Sequence, residues 1–311
     1  MASCEQSLCA TVHLPKLHGM FARYVTIAWF SALLAVAFAM RPVESPAASV
    51  PIPSEADSLI NKAQAAYNRG DAPVALELAN KAVTAAPTNA QAYWVRGRIY
   101  SAQAEHTKAI ADFDKALQLE PRGAELYHLR GCERFKVGDV TGSLENFDKF
   151  LQFVPKQAPQ HWQRGISCYY AGRFEEGRKQ FELHQTVNPA DVENAVWHFL
   201  CVARLEGVEK ARASLIPIKG DRRVPMMQIY ELFAGKSKPE QVFDVAKAAD
   251  KSKNSDPLFY ANLYVGLYYE ATGDEKKAAE YINKAAAFDA PHYMGDVARV
   301  HAALLNKTKI K

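Results

Sequence analysis

Four prolines, Pro87, Pro121, Pro155 and Pro189, recur at intervals of 34 residues, as do Arg96-Gly97, Arg130-Gly131 and Arg164-Gly165. Phe113, Phe147 and Phe181 keep the same interval. A fixed period of this length, with no insertion across four units, marks a stack of short helical hairpins. Each unit of such a stack packs mainly on its neighbours, so a chain of 311 residues needs no single large core. The fold class expected is all-α, an α-α superhelix. Such stacks present extended concave surfaces and make binding faces more often than reaction centres.

The four full units run 56–89, 90–123, 124–157 and 158–191. Each reads as an A helix, a tight turn, a B helix and a proline that stops it. The inner turns are Gly70-Asp71, Ala104-Glu105, Gly138-Asp139 and Gly172-Arg173, and glycine there admits the positive φ of a helix end. Small residues stand where helices must approach: Gly97, Gly131 and Gly165 on A helices, Ala75, Ala82, Ala109 and Ala116 on B helices. Tyr93, Tyr100, Tyr127 and Phe113 fill the spaces between them. Units three and four depart from this, with Ser143 and Gly177 at the first alanine position and Phe150 and His184 at the second. The added bulk predicts a B helix standing farther from the next A helix, or a change of superhelical pitch.

Residues 192–257 keep helical character and lose the frame. Helices are expected over 194–206, 209–215, 224–233 and 239–250, with Ser237 capping the last. The frame returns over 259–292 with Gly266, Gly273-Asp274, Ala278, Ile282 and Ala285. A capping helix over 294–305 is expected to cover the last apolar face.

Tyr24–Met40 is uncharged and almost wholly apolar, preceded by Arg23 and closed by Arg41-Pro42. With small residues at Ala37 and Ala39 it reads as a secretory signal, and Met20 as a plausible start. A retained membrane anchor is the alternative, at the short limit for a span. The chain thus divides into an N-terminal extension (1–19), this signal peptide or anchor (20–41), a Pro-rich linker (42–55), the four units (56–191), degenerate helical units (192–257) and a final unit with its cap (258–311). The expected location is extracytoplasmic. Net charge is +4, with both signs interspersed, which gives no argument for nucleic acid. Of five cysteines only Cys132, Cys168 and Cys201 lie beyond the apolar segment, and they read as small core residues rather than a disulfide framework.

The joint register of glycine, paired alanines, aromatic and terminal proline resembles the tetratricopeptide repeat in all four frames. The runs 161–170, 172–177, 197–201 and 261–269 look like a family of such proteins from plants, algae and bacteria. More loosely, residues 90–305 are similar in pattern to the NlpI lipoproteins, envelope adaptors for peptidoglycan hydrolases, although no lipobox cysteine follows the apolar segment. Grooves of this repeat that hold acidic chaperone tails use a lysine and two asparagines. Ile60, Gln64 and Val95 stand at those positions, which excludes that role.

No Gly-rich phosphate loop, HExxH, GxSxG or CxxC pair occurs. His184, His198 and Cys201 are the one set with metal-ligand chemistry, and interhelix packing is the preferred reading of them. Arg96, Arg130 and Arg164 stand where the repeat usually has leucine. Pairs with Asp112 or Asp114, with Asp148 and with Glu182 would tie helix A to helix B within each unit, and an anion-binding stripe is the alternative. The inward A-helix register implies a groove lined by Tyr67, Trp94, Arg98, Phe135, Trp162 and Tyr169, residue types that dominate interface energetics. Tyr170 is expected to face its own B helix. These residues imply a non-enzymatic scaffold with protein or peptide partners, no cofactor, and self-association as a further option. An envelope adaptor for hydrolases and an organelle assembly factor are the alternatives.

Overall fold

The structure is a computed structural model that describes residues 54–249 and 256–308. Tyr24–Met40 and the extension before it lie outside the described residues. Among the described residues every regular element is helical. Units one to four are α1 (Glu55–Asn68) and α2 (Ala72–Ala85), α3 (Ala90–Ala102) and α4 (His106–Leu119), α5 (Ala124–Lys136) and α6 (Val140–Phe153), then α7 (Trp162–Tyr170) and α8 (Phe174–Gln185). There follow α9 (Val192–Glu206), α10 (Val208–Ala213), α11 (Met226–Phe233), α12 (Pro239–Ala249), α13 (Asp256–Ala271), α14 (Glu275–Ala286) and α15 (Tyr293–Thr308). None is long and apolar enough to cross a membrane.

Local chemistry sets the hairpins. Ser54 and Asp57 form a capping box at α1. Asp71, Asn89 and Asp139 accept first-turn N–H groups of α2, α3 and α6. Gly70, Gly138 and Gly172 take φ of 79°, 81° and 74° between A and B helices, and Ala104 is forced to the same region at 58°. Where the helices cross, a β-carbon added at Gly97, Gly131 or Gly165 would lie 2.7 Å from the ring of Phe113, Phe147 or Phe181. The Gly–Phe pair therefore sets the A–B distance in units two to four. Gly266 and Ile282 repeat the device in the α13–α14 hairpin, at 2.8 Å.

Two expectations are corrected, and unit four starts differently from the units before it. A 3-10 turn, Pro155–Gln160, stands where the first turn of the unit-four A helix belongs, and His184 Nδ1 lies 2.8 Å from the Pro159 carbonyl there. Ser237 does not cap α12; its hydroxyl donates to the Gln228 carbonyl. The arginine ladder also runs between units. Arg96 donates to Asp112 at 2.8 and 2.7 Å and to Asn80 of the preceding B helix at 3.1 Å. Arg130 joins Asn146 to Asp114 of the preceding unit, and Arg164 joins Glu176 to Asp148 of the preceding unit. Each guanidinium ties one A helix to both flanking B helices, and Glu182 is not among the partners of Arg164. Planar, multi-donor geometry suits arginine to this and leucine could not replace it.

The core is uneven. Units one and two share a small alanine-rich cluster, with a second cluster across units two and three. From Cys132 to Ala302 the buried residues form one continuous core. α15 does more than cap the end. It packs on α14 and reaches α5, and every residue from Tyr293 to Ala302 except Arg299 is buried. Cys168 and Cys201 are free and buried, as expected. Cys132 is fully buried.

Candidate interaction site

The six residues of the expected groove separate into two groups. Tyr67 on α1 and Trp94 and Arg98 on α3 are all half-buried. The Arg98 guanidinium carbon lies 5.2 Å from the Tyr67 ring centroid and 4.8 Å from that of Trp94. Its Nη1 donates to Gln64 Oε1 at 3.1 Å. Gln64 and Arg98 are one period apart, so adjacent A helices bring them together. A cation held over two aromatic faces loses little rotamer freedom when a ligand arrives, and all three side chains reach the surface of the first two units.

Phe135 and Tyr169 do not line an open groove, which corrects the expectation of one continuous face, and Trp162 is half-buried against α15. Phe135 is fully buried and Tyr169 is 5% exposed. Tyr293 of α15 stacks on Phe135 at 5.4 Å and meets Trp162 edge-on at 5.1 Å. Tyr169 packs against Tyr170, Phe174 and Trp197. Tyr170 turns away from its own B helix toward α15, where its hydroxyl lies 2.9 Å from His301 Nδ1. His301 Nε2 lies 3.4 Å from Glu270 Oε2, and Arg204 approaches the other oxygen of Glu270 at 3.6 Å. Burial pushes the Tyr169 and Tyr170 hydroxyls well above their ordinary range and holds His301 below its own. Phe135, Trp162 and Tyr170 therefore meet α15, and Tyr169 packs behind them against α8 and α9. Sequence reasoning missed Tyr293 and His301, and only their helical register was visible.

The set with metal chemistry is dispersed. His184 faces Pro159 and Asp191, His198 Nε2 lies 3.5 Å from Glu182, and Cys201 packs against Gly177. No three His, Cys, Asp or Glu side chains among the described residues gather to hold a metal. Burial pushes the Cys168 thiol up to about 11 and Cys201 higher still, the opposite of a nucleophile's environment.

Two buried polar clusters were not foreseen. Glu133 of α5 is 2% exposed and takes Ser101, His106 and Lys136 at 2.7 Å each; these partners outweigh burial and hold its carboxyl below the usual range. At the start of α9, Arg223 bonds Asp191, Glu193 and Asp221, and Tyr264 donates to Glu193 at 2.7 Å. Burial pushes the Glu193 carboxyl up to about 7 against the pull of Arg223. The cluster pins the irregular 214–225 stretch to α9 and α13.

A family model described as alkyl sulfatase dimerisation matches residues 15–113, less than half of the chain. No curated protein matches the sequence. Among solved structures, the chain is similar to the MamA protein at 15% identity and a TM-score of 0.48, covering 58% of this chain and 92% of that one. It is similar to a tetratricopeptide repeat protein from Parabacteroides merdae ATCC 43184 at 18% identity and a TM-score of 0.47, covering 81% and 85%. YrrB, described as a tetratricopeptide protein with an unusual peptide-binding site, aligns at 17% identity and a TM-score of 0.40, covering 72% and 97%. On the register and geometry of its own hairpins, the chain is a solenoid of tetratricopeptide type.

Proposed function

We propose that this tetratricopeptide solenoid is a non-enzymatic scaffold that binds an extended protein segment through Tyr67, Trp94 and Arg98 of its first two units. The observation that carries the reading is the stacking of Arg98 between the Tyr67 and Trp94 rings at a half-buried surface. Aromatic and arginine side chains held in one geometry are the anchors on which interface affinity concentrates. The apolar segment Tyr24–Met40 supports action outside the cytoplasm.

The test is selection of phage-displayed peptides on the full chain, followed by fluorescence anisotropy of those recovered. Trp94→Ala is expected to weaken binding at least tenfold, about 1.4 kcal/mol. Trp162→Ala, which faces Tyr293, is expected to leave affinity unchanged. Equal affinity of Trp94→Ala and wild type rejects the site. Sequencing the N-terminus of the mature protein tests export: a chain still carrying Tyr24–Met40 rejects cleavage. Self-association is a second reading, favoured by the match of residues 15–113 to a dimerisation family. A monomeric mass in light scattering at micromolar concentration would exclude it.

A further inference from the structure

α15 is held at its start and in its middle by two histidines, and the first of them holds it in its neutral form. His292 precedes the helix, and its Nδ1 accepts the Gly295 N–H at 3.3 Å. This is an N-cap bond, which only an unprotonated nitrogen can accept. An imidazolium there would lose the bond and place positive charge on the positive end of the helix. The His292 ring also stacks on Tyr260 at 5.6 Å and meets Phe259 edge-on at 5.0 Å, both on α13. Two turns on, His301 is 3% exposed, with Nδ1 on the Tyr170 hydroxyl of α7 and Nε2 toward Glu270 of α13. One side chain thus fixes the start of α15, and the other fixes its middle to α7 and α13.

We propose that α15 is an acid-released closing helix: at neutral pH it packs over the A helices of units three and four, and as the pH falls below the ordinary histidine range its two histidines charge and let it leave, uncovering Phe135, Trp162 and Tyr170. The charged neighbours set the balance. Asp256 of α13 and Asp296 of α15 favour a protonated His292, and Arg299 opposes it. Glu270 of α13 favours a protonated His301, and Arg204 of α9 opposes it. Burial is the largest influence at both, and both stay below the ordinary histidine range. A displaced chain takes up these protons near pH 6.5, whereas the packed helix takes them only at lower pH. The grip of α15 is therefore complete above that value and weakens as pH falls through it. The inference is independent of what the first two units bind.

Hydrogen exchange of the full chain, read peptide by peptide and corrected for intrinsic rates, tests it at pH 7.5 and 5.0. Protection of α15 is expected to fall at least tenfold at the lower pH, with α1 to α4 unchanged. His292→Asn with His301→Asn keeps a neutral acceptor at each position, and is expected to hold α15 protection level across the range. Equal protection of wild-type α15 at both pH values overturns the proposal, and needs no variant to be folded. A loss shared equally by α1 to α4, or the same loss in the double variant, overturns it as well.

Discussion

Tyr293→Ala measures how firmly the end of the chain is bound to its middle. Tyr293 is 2% exposed, and its ring is held by Phe135 and Trp162 on helices more than 120 residues away in sequence. Truncating a buried aromatic to alanine costs about 3–5 kcal/mol through lost transfer and a cavity. The Tyr293 hydroxyl is buried near Ser167 without good hydrogen-bond geometry, so loss of a hydrogen bond adds little. The informative quantity is the coupling with Phe135. The rings stack at 5.4 Å and 20°, a geometry worth about 0.5–1.5 kcal/mol beyond area. Urea unfolding followed by tryptophan fluorescence should therefore give Tyr293→Ala and Phe135→Leu non-additive costs, coupled by about 1 kcal/mol. Trp162 and Trp197 both report on this body. If α15 covered only the outer face of α14, the two substitutions would add to within about 0.3 kcal/mol, and that result would refute the packing of α15 on α5.

Gly131→Ala separates propensity from packing by sign. Alanine gains about 1 kcal/mol over glycine in a helix, but its methyl would lie 2.7 Å from the Phe147 ring and 3.2 Å from Asn146 Cβ. Overpacking of about 1–3 kcal/mol should win, so thermal melts should show a lower Tm; a rise would remove the Gly–Phe pair as the determinant of hairpin spacing. Ala104→Gly relieves a residue at φ 58° and should raise stability by about 1 kcal/mol, with no change predicting that the turn relaxes in solution. Burial pushes the Glu193 carboxyl up to about 7 from the ordinary 4.5, so its contribution is present at acid pH and is lost as pH rises from about 4.5 towards 7. Glu193→Gln should flatten that part of the stability–pH curve, measured as the wild-type minus variant difference, and an unchanged slope would contradict the burial of this carboxyl.

The regular half of the chain was legible because each of its contacts repeats. Gly97 with Phe113 recurs as Gly131 with Phe147 and Gly165 with Phe181, and a period survives in sequence where one contact would not. The helix bounds followed to within a few residues. What the period could not carry were contacts made once. The end of the chain meets its middle through Tyr170 and His301, which are 131 residues apart, and no spacing announces such a pair. The inward A-helix register identified Trp94 and Phe135 alike, because a groove and a helix-covered core use the same face of the same helix. Which of the two results depends on whether another helix arrives, and α15 arrives only beyond unit two. The arginine ladder was half legible for a related reason: partners 16 residues before Arg96, Arg130 and Arg164 are as near as those after them, and the sequence pattern does not rank the two.

The division of the concave face into an accessible first pair of units and a sealed remainder is tested most directly by hydroxyl-radical footprinting of the full chain at pH 7.5. Corrected for intrinsic reactivity, Trp94 should be oxidised several-fold faster than Phe135 and Tyr293, which should be protected as core residues are. Oxidation of Phe135 and Tyr293 at the rate of Trp94 would contradict the account.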